Sequence, residues 1–402
     1  MNRKVKFLTL SLLIVPLCSF KNLNTNENEN KSLGIFKDNS ILEIQNYYKD
    51  LENGIKGEEL LTKLQPILKK NQKKLSSSSV KDSNWKYFLL ADRNFEKDPL
   101  TEEEILKQNW KLDNVVCKPL YEEEFTFIKA EKPGNKINRE HVFPKSYGFG
   151  DEDGDYAPYA GSDLHNLQMG EAKNNSEGHN NYPYGNIDRS KKFSEIKSLI
   201  SGKITGYLGL NINNIPVYEP RDVDKGNIAR TLFYMAARYH FYEESEPNSP
   251  SLILSDIPTD VYTNKKTILA DETKNNPCQY GILSDLLEWN IQDPVDDFEI
   301  HRNNLVYNAI QNNRNPFIDY PMWADIAFGN STNGINLEIG PSQIGEDHKI
   351  DNPTLPEKPD NPTIPETKED KKQLLLPFIG AIILLIFLIL VLTKVKNKKK
   401  HK

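Results

Sequence analysis

Cysteine is scarce in this chain, with three residues, Cys18, Cys117 and Cys278, in 402. Cys18 lies in an N-terminal apolar segment, so Cys117 and Cys278 are the one pair available to the folded part, and the sequence leaves open whether they join. A disulfide framework is excluded, and the fold has to rest on its core. Apolar residues are also few, at 37%, and the polar excess gathers at the two ends. An excess of positive charge is missing as well: the net charge is −6. A polyanionic ligand would therefore need a local basic groove, because the overall field gives no attraction.

What is present at the ends reads as targeting. Arg3, Lys4 and Lys6 precede an apolar run from Phe7 to Leu17 that contains Pro16. The run is short for a membrane span and predicts a secretory signal over 1–19, with Leu17-Cys18-Ser19 as the local cleavage candidate. Residues 20–39, rich in Asn, Glu and Lys, read as a disordered leader. At the other end, Leu374 to Leu392 is an uncharged stretch of 19 residues, about 28 Å long as a helix, enough for a bilayer core. The lysines of 393–402 form a basic tail that stays in the cytoplasm, so the chain is expected to be anchored by this transmembrane helix with its globular part outside.

Before that helix, residues 335–373 read as a linker. Pro353, Pro356, Pro359, Pro362 and Pro365 recur every third residue, the period of polyproline II, which makes a semi-rigid spacer. Ile364-Pro365-Glu366-Thr367 resembles a sortase signal with Lys368 where glycine would stand, leaving wall attachment as the alternative to the membrane anchor.

The globular part is expected over 40–330. Ile41, Ile44, Tyr48 and Leu51 have helical spacing, a second amphipathic helix starts at Gly57, and Thr101 begins a capped one. Asn114 to Cys117 and Phe125 to Ile128 have strand composition. The Gly- and Asn-rich stretch from Tyr147 to Asp188 reads mostly as loop. Lys225 to Tyr239 is apolar all round and predicts a buried helix, and Ile282–Trp289 and Asp297–Gln311 predict two more.

The chemistry-bearing residues sit between these elements. Asn138-Arg139-Glu140-His141-Val142-Phe143-Pro144-Lys145-Ser146 places a carboxylate beside an imidazole, and Asp163-Leu164-His165-Asn166-Leu167 follows. Glu oxygen suits a hard divalent cation, and neutral His takes a proton from water near neutral pH. On a strand, adjacent side chains point to opposite faces, so Glu140 and His141 need a bend or a strand end to serve one site. Lys173-Asn174-Asn175 and His179-Asn180-Asn181 add amide oxygens that suit Mg²⁺ and disfavour a soft metal. With no Cys nearby, a structural zinc is not expected. Asp151-Glu152-Asp153-Gly154-Asp155 has the composition of a calcium loop without its full ligand spacing and reads as a solvated loop.

These pieces, with Asn181-Tyr182-Pro183-Tyr184-Gly185, Leu287-Glu288-Trp289 and Asn313-Arg314-Asn315-Pro316-Phe317-Ile318-Asp319, resemble in order and spacing the endonuclease I family of secreted bacterial nucleases. The resemblance implies an α+β fold: a mainly helical domain around a ββα-metal (His-Me finger) core. It implies His141 as general base, with Glu140 and an Asn holding one Mg²⁺, Mn²⁺ and Ca²⁺ being alternatives. Counting from Asp163 favours Asn175 as that Asn, and matching the Asn-Asn pair favours Asn174. His179 stands where the family has Arg, and Lys145 or Lys173 could replace that phosphate clamp. Asp163, His165, Asn166 and His179 are expected to orient the site or contact phosphate, although Asp163 and His165 read equally well as buried hydrogen-bonding residues. The implied activity is hydrolysis of DNA, and of RNA, without sequence preference. The rival reading, motivated by the altered segment at His179, is a surface protein that has lost catalysis and binds nucleic acid or a host partner.

Overall fold

The computed structural model describes residues 40–75, 83–98, 115–127, 136–150, 159–246, 248–263 and 266–345. The expected signal, leader, Thr101 helix, acidic loop at 151–155, polyproline spacer and membrane helix all lie outside the described residues. Among the described residues, no helix is long and apolar enough to cross a membrane.

The chain opens with α1 (Ile41–Tyr47), started by a capping box in which Ser40 and Glu43 satisfy each other's backbone N–H. Next come α2 (Gly57–Lys69), which buries Leu60, Leu61, Leu64 and Leu68, and α3 (Ser83–Ala91). Strands β1 (Val115–Cys117) and β2 (Phe125–Phe127) pair antiparallel, as their composition predicts. Strands β3 (Ile137–His141) and β4 (Leu167–Glu171) form a second antiparallel pair, and β5 (Phe193–Lys197), β6 (Ile204–Leu210) and β7 (Pro216–Pro220) form a three-stranded antiparallel sheet. The stretch from Tyr147 to Asp188 is thus less loop-like than its composition suggests. It contains β4 and, after it, a short π-helical turn over Asn174–His179.

Helix α4 (Asp222–Arg238) is the axis of the core. Ile228, Ala229, Leu232, Phe233, Met235 and Ala236 are all fully buried, so every face of the helix meets protein. This is what an all-round apolar helix requires. Gly226 near its start permits a close approach, since a Cβ there would meet the Asp293 carbonyl oxygen at 1.9 Å. Beyond α4 come a parallel pair, β8 (Leu252–Leu254) and β9 (Cys278–Tyr280), with the one-turn helix α5 (Ala270–Thr273) between them. Helices α6 (Leu283–Gln292), α7 (Asp297–Leu305), α8 (Pro316–Asp319) and α9 (Trp323–Phe328) close the domain. Packing continues past 330: Ile335 is buried, its N–H donates to the Ile55 carbonyl, and Ser342 N–H donates to that of Asp319. The whole is an α+β arrangement of helices with small sheets.

Candidate active site

The β3–β4 pair aligns Glu140 with Gln168 and His141 with Leu167, so the two candidate residues fall at the end of a strand. The pleat sends them to opposite sides. Glu140 is 1% exposed, whereas His141 is half-buried on the loop side. Immediately after His141 the backbone is clamped. Asn166 accepts from the Phe143 N–H at 2.7 Å and donates to the Phe143 carbonyl at 3.1 Å, while Val142 N–H donates to the Asn166 carbonyl. Asn166 therefore fixes where the β3 end points, through the chain.

His141 Nε2 lies 3.0 Å from the Gly161 carbonyl, in a 3₁₀ turn over Tyr159–Gly161. A carbonyl only accepts, so Nε2 carries the proton and the lone pair of neutral His141 is on Nδ1. That is the tautomer a base needs, with the ring held from its far side.

Glu140 is embedded in hydroxyls and one imidazole. Its Oε1 lies 2.9 Å from the Tyr121 hydroxyl, 3.3 Å from that of Tyr184 and 2.5 Å from His179 Nδ1, and the two tyrosine hydroxyls are also in contact, so their two protons are shared among three contacts. Oε2 takes none of these three bonds. His179 is 2% exposed, stacks on the Tyr184 ring at 4.3 Å and sets its Nε2 2.6 Å from the Tyr280 hydroxyl. It therefore orients Glu140 from inside the protein, and the phosphate-contact role considered for it does not fit so buried a ring. Burial, with the Glu140 charge adding to it, holds the Tyr121, Tyr184 and Tyr280 hydroxyls well above the usual tyrosine range, so they stay protonated donors.

The π-helical turn presents the two candidate amides differently. Asn174 is fully buried and consumed: it donates to Glu171 Oε2 and Thr205 Oγ1, and its Oδ1 accepts from Tyr218 at 2.7 Å. Asn175 is half-buried and uses its NH₂ on Asn138 Oδ1 at 2.8 Å and the Arg139 carbonyl at 3.1 Å, bonds that do not engage its Oδ1. One turn thus pins Asn175 to the Arg139 backbone and His179 to the Glu140 carboxylate, on consecutive residues of β3. Gly178 lets the turn sit on the sheet, where a Cβ would come within 2.7 Å of the Tyr218 ring.

Asp163 and His165 belong to the interior. Asp163 Oδ2 accepts from Gln72, Tyr234 and Tyr239, and its Oδ1 accepts from Gln311 and the His165 N–H. His165 Nε2 meets the Asn313 carbonyl at 3.1 Å, and burial pushes its pKa down to about 4. Of the two readings of this pair, buried hydrogen bonding is the one the geometry gives. Lys145 is half-buried in the turn after Pro144. Lys173 faces Glu177 at 3.9 Å. Tyr184 belongs to the Asn181–Gly185 motif, although no role was read for it, whereas Tyr121 and Tyr280 carry no local motif; the one hint for them is a chain with 18 tyrosines.

Among the described residues, no group of three or more His, Cys, Asp and Glu side chains stands ready for a metal. One carboxylate and one amide oxygen suit an ion that keeps most of its water.

Comparison with known proteins identifies the family. Residues 56–322 match the endonuclease I family. The chain is 40% identical over 190 residues to the extracellular ribonuclease of Bacillus subtilis (47% of this chain, 52% of that protein). It is 39% identical over the same length and shares to the extracellular ribonuclease of Bacillus amyloliquefaciens. The chain thus spans about half the length of the curated relatives it matches. On the extent of the family match, with the β3 carboxylate–imidazole pair and the amide turn behind it, the chain belongs to the endonuclease I family.

Proposed function

We propose that this protein is an extracellular endonuclease that hydrolyses phosphodiester bonds of RNA and DNA with little sequence preference. The observation that carries the reading is His141 at the end of β3, its Nε2–H held by the Gly161 carbonyl and its basic nitrogen turned away from it. In the proposed reaction His141 Nδ1 takes a proton from water, and the water oxygen attacks phosphorus. The bond to the 3′ oxygen breaks, and that oxygen takes a proton from solvent water, leaving a 5′-phosphate and a 3′-hydroxyl.

The residues fit a single hard cation such as Mg²⁺. Glu140 through Oε2 and Asn175 through Oδ1 would hold it, a choice over Asn174 supported by the burial of Asn174 and its bonds to Glu171, Thr205 and Tyr218. When bound, such an ion supplies positive charge against the phosphate and the leaving oxygen. His179, Tyr121 and Tyr184 fix the Glu140 carboxylate so that little reorganisation is needed on binding. Secretion is the location named for the Bacillus relatives. A membrane tether through 374–392 is the finer proposal for this chain.

The test incubates the purified protein with supercoiled plasmid and with structured RNA, with Mg²⁺ or with chelator. Cleavage that disappears with chelator and in His141→Ala is expected. Binding of both nucleic acids without cleavage in Mg²⁺, Mn²⁺ or Ca²⁺ overturns the reading in favour of a non-catalytic binder.

A further inference from the structure

Among the described residues every arginine except Arg139 is ion-paired to a carboxylate. Arg139 is exposed, and its guanidinium makes no hydrogen bond, ion pair or ring contact with a described residue. Its backbone, in contrast, is held, because its carbonyl accepts from the Asn175 amide at 3.1 Å. A chain of net charge −6 thus leaves one arginine uncommitted, in the middle of β3.

Side chains two apart on a strand share a face, so Arg139 stands on the His141 side of β3, with about 6.6 Å between their Cα atoms. Across on β4, Met169 faces Arg139 and Leu167 faces His141, and both are buried and apolar. Glu171, the carboxylate of the same face, is fully buried and spends its oxygens on Asn174 and the Leu199 N–H. The sheet therefore offers the guanidinium no acceptor, and burying it unpaired would cost more than leaving it in water. Its five N–H donors stay in solvent, on the face of the residue proposed as the base.

The Asn175 bond fixes the Arg139 backbone through the same amide proposed to hold the cation. A phosphate reached by the His141 water and by that cation still has a non-bridging oxygen to satisfy. A planar guanidinium fork suits phosphate oxygens better than a point charge does.

We propose that Arg139 binds the phosphate under attack, donating to a non-bridging oxygen and meeting the negative charge that grows there as water adds. The assignment rests on the nuclease reading above.

Two variants and two readouts test it. Binding of a fluorescent DNA single strand to the full-length protein is followed by anisotropy in chelator over a range of salt, and cleavage is followed separately in Mg²⁺. Arg139→Ala is expected to make the dependence of log K on log salt shallower by about 0.7, the loss of one phosphate contact. It should also lower kcat by about a hundredfold. Arg139→Lys should keep the wild-type salt slope, because the charge remains. Its kcat should still fall by about tenfold, because the fork is gone. An unchanged slope in Arg139→Ala overturns the assignment, whatever the rate does, since the residue then contacts no phosphate. A shallower slope with wild-type kcat overturns it too, by moving the contact to a flanking phosphate. A wild-type kcat in Arg139→Lys overturns the forked contact. Failure of the nuclease reading looks different: wild type binds in chelator and cuts nothing in Mg²⁺.

Discussion

His179 Nδ1 sits 2.5 Å from Glu140 Oε1, with both residues almost fully buried. The far side of the imidazole, Nε2, meets Tyr280, whose hydroxyl donates to the Tyr182 carbonyl. Both nitrogens of the imidazole are thereby engaged, Nδ1 by the carboxylate and Nε2 by a hydroxyl. Removing the ring leaves a buried carboxylate with only tyrosine hydroxyls. His179→Ala should therefore lower unfolding stability by roughly 3–5 kcal/mol, the range for breaking a buried pair. Urea unfolding followed by circular dichroism measures this, and a loss below about 1 kcal/mol would show that the pair is not a structural tie.

The two amides of the π-helical turn should separate stability from metal dependence. Asn174→Ala strands Glu171, Thr205 and Tyr218 in the interior and should cost roughly 2–4 kcal/mol. Its Mg²⁺ half-saturation in cleavage assays should stay near wild type. Asn175→Ala should cost about 1 kcal/mol or less yet raise that half-saturation by about tenfold or more. The reverse pattern would assign the ligand to Asn174.

Asn166 holds the chain after His141 through the Val142 and Phe143 backbone. In Asn166→Asp a carboxylate oxygen replaces the NH₂ and faces the Phe143 carbonyl without a proton to give. The β3 end should shift, and kcat should fall by about tenfold to a hundredfold, the scale of a displacement of about 1 Å at a reacting group. KM should change little. A kcat equal to wild type in a folded Asn166→Asp protein would remove Asn166 from any positioning role.

Part of this site was legible in the sequence because it is local. Glu140 and His141 share a strand end, and Asp163 to Leu167 turns directly into β4, so their order along the chain mirrors their order in space. The amide turn was legible as a segment, but not which amide, because Asn174 is consumed by Thr205 and Tyr218, residues 31 and 44 positions away. The cradle of Glu140 was legible only in His179 and the Tyr184 motif: Tyr280 reaches His179 across 101 positions, and nothing in a local pattern marks such a tyrosine. Strands β5 to β7 escaped notice for a different reason. Gly206 and Gly209 interrupt the apolar alternation of β6 and leave room for the Tyr218 ring and for Phe193.

His165 makes a pH prediction. Burial holds it neutral, with a folded pKa of about 4 against an ordinary value of 6.5. Between those values the unfolded chain binds the proton and the folded one does not, so stability falls as the pH drops from about 6.5 towards 4. Near pH 4 the loss approaches roughly 3 kcal/mol. Above 6.5 the group contributes no pH dependence. Because other buried groups titrate in the same range, the quantity to measure is the difference between wild type and His165→Gln in urea midpoints across this window. Parallel curves would show that His165 keeps its ordinary pKa in the folded protein.

Cys117 in β1 and Cys278 in β9 are both buried free thiols. Burial pushes the Cys278 thiol up to about 12 and the Cys117 thiol higher still. Reaction needs the thiolate, so a disulfide-exchange reagent should modify neither residue in the native protein and both after unfolding. Cys18, outside the described residues, is removed from the test by Cys18→Ser. In that background, reductant should leave the urea midpoint unchanged. Were the two joined, the bridge would close a loop of well over a hundred residues and add about 4–5 kcal/mol, so reductant would lower the midpoint clearly. A large reductant-dependent drop would show that the strands carrying these thiols come together as they do not in this fold.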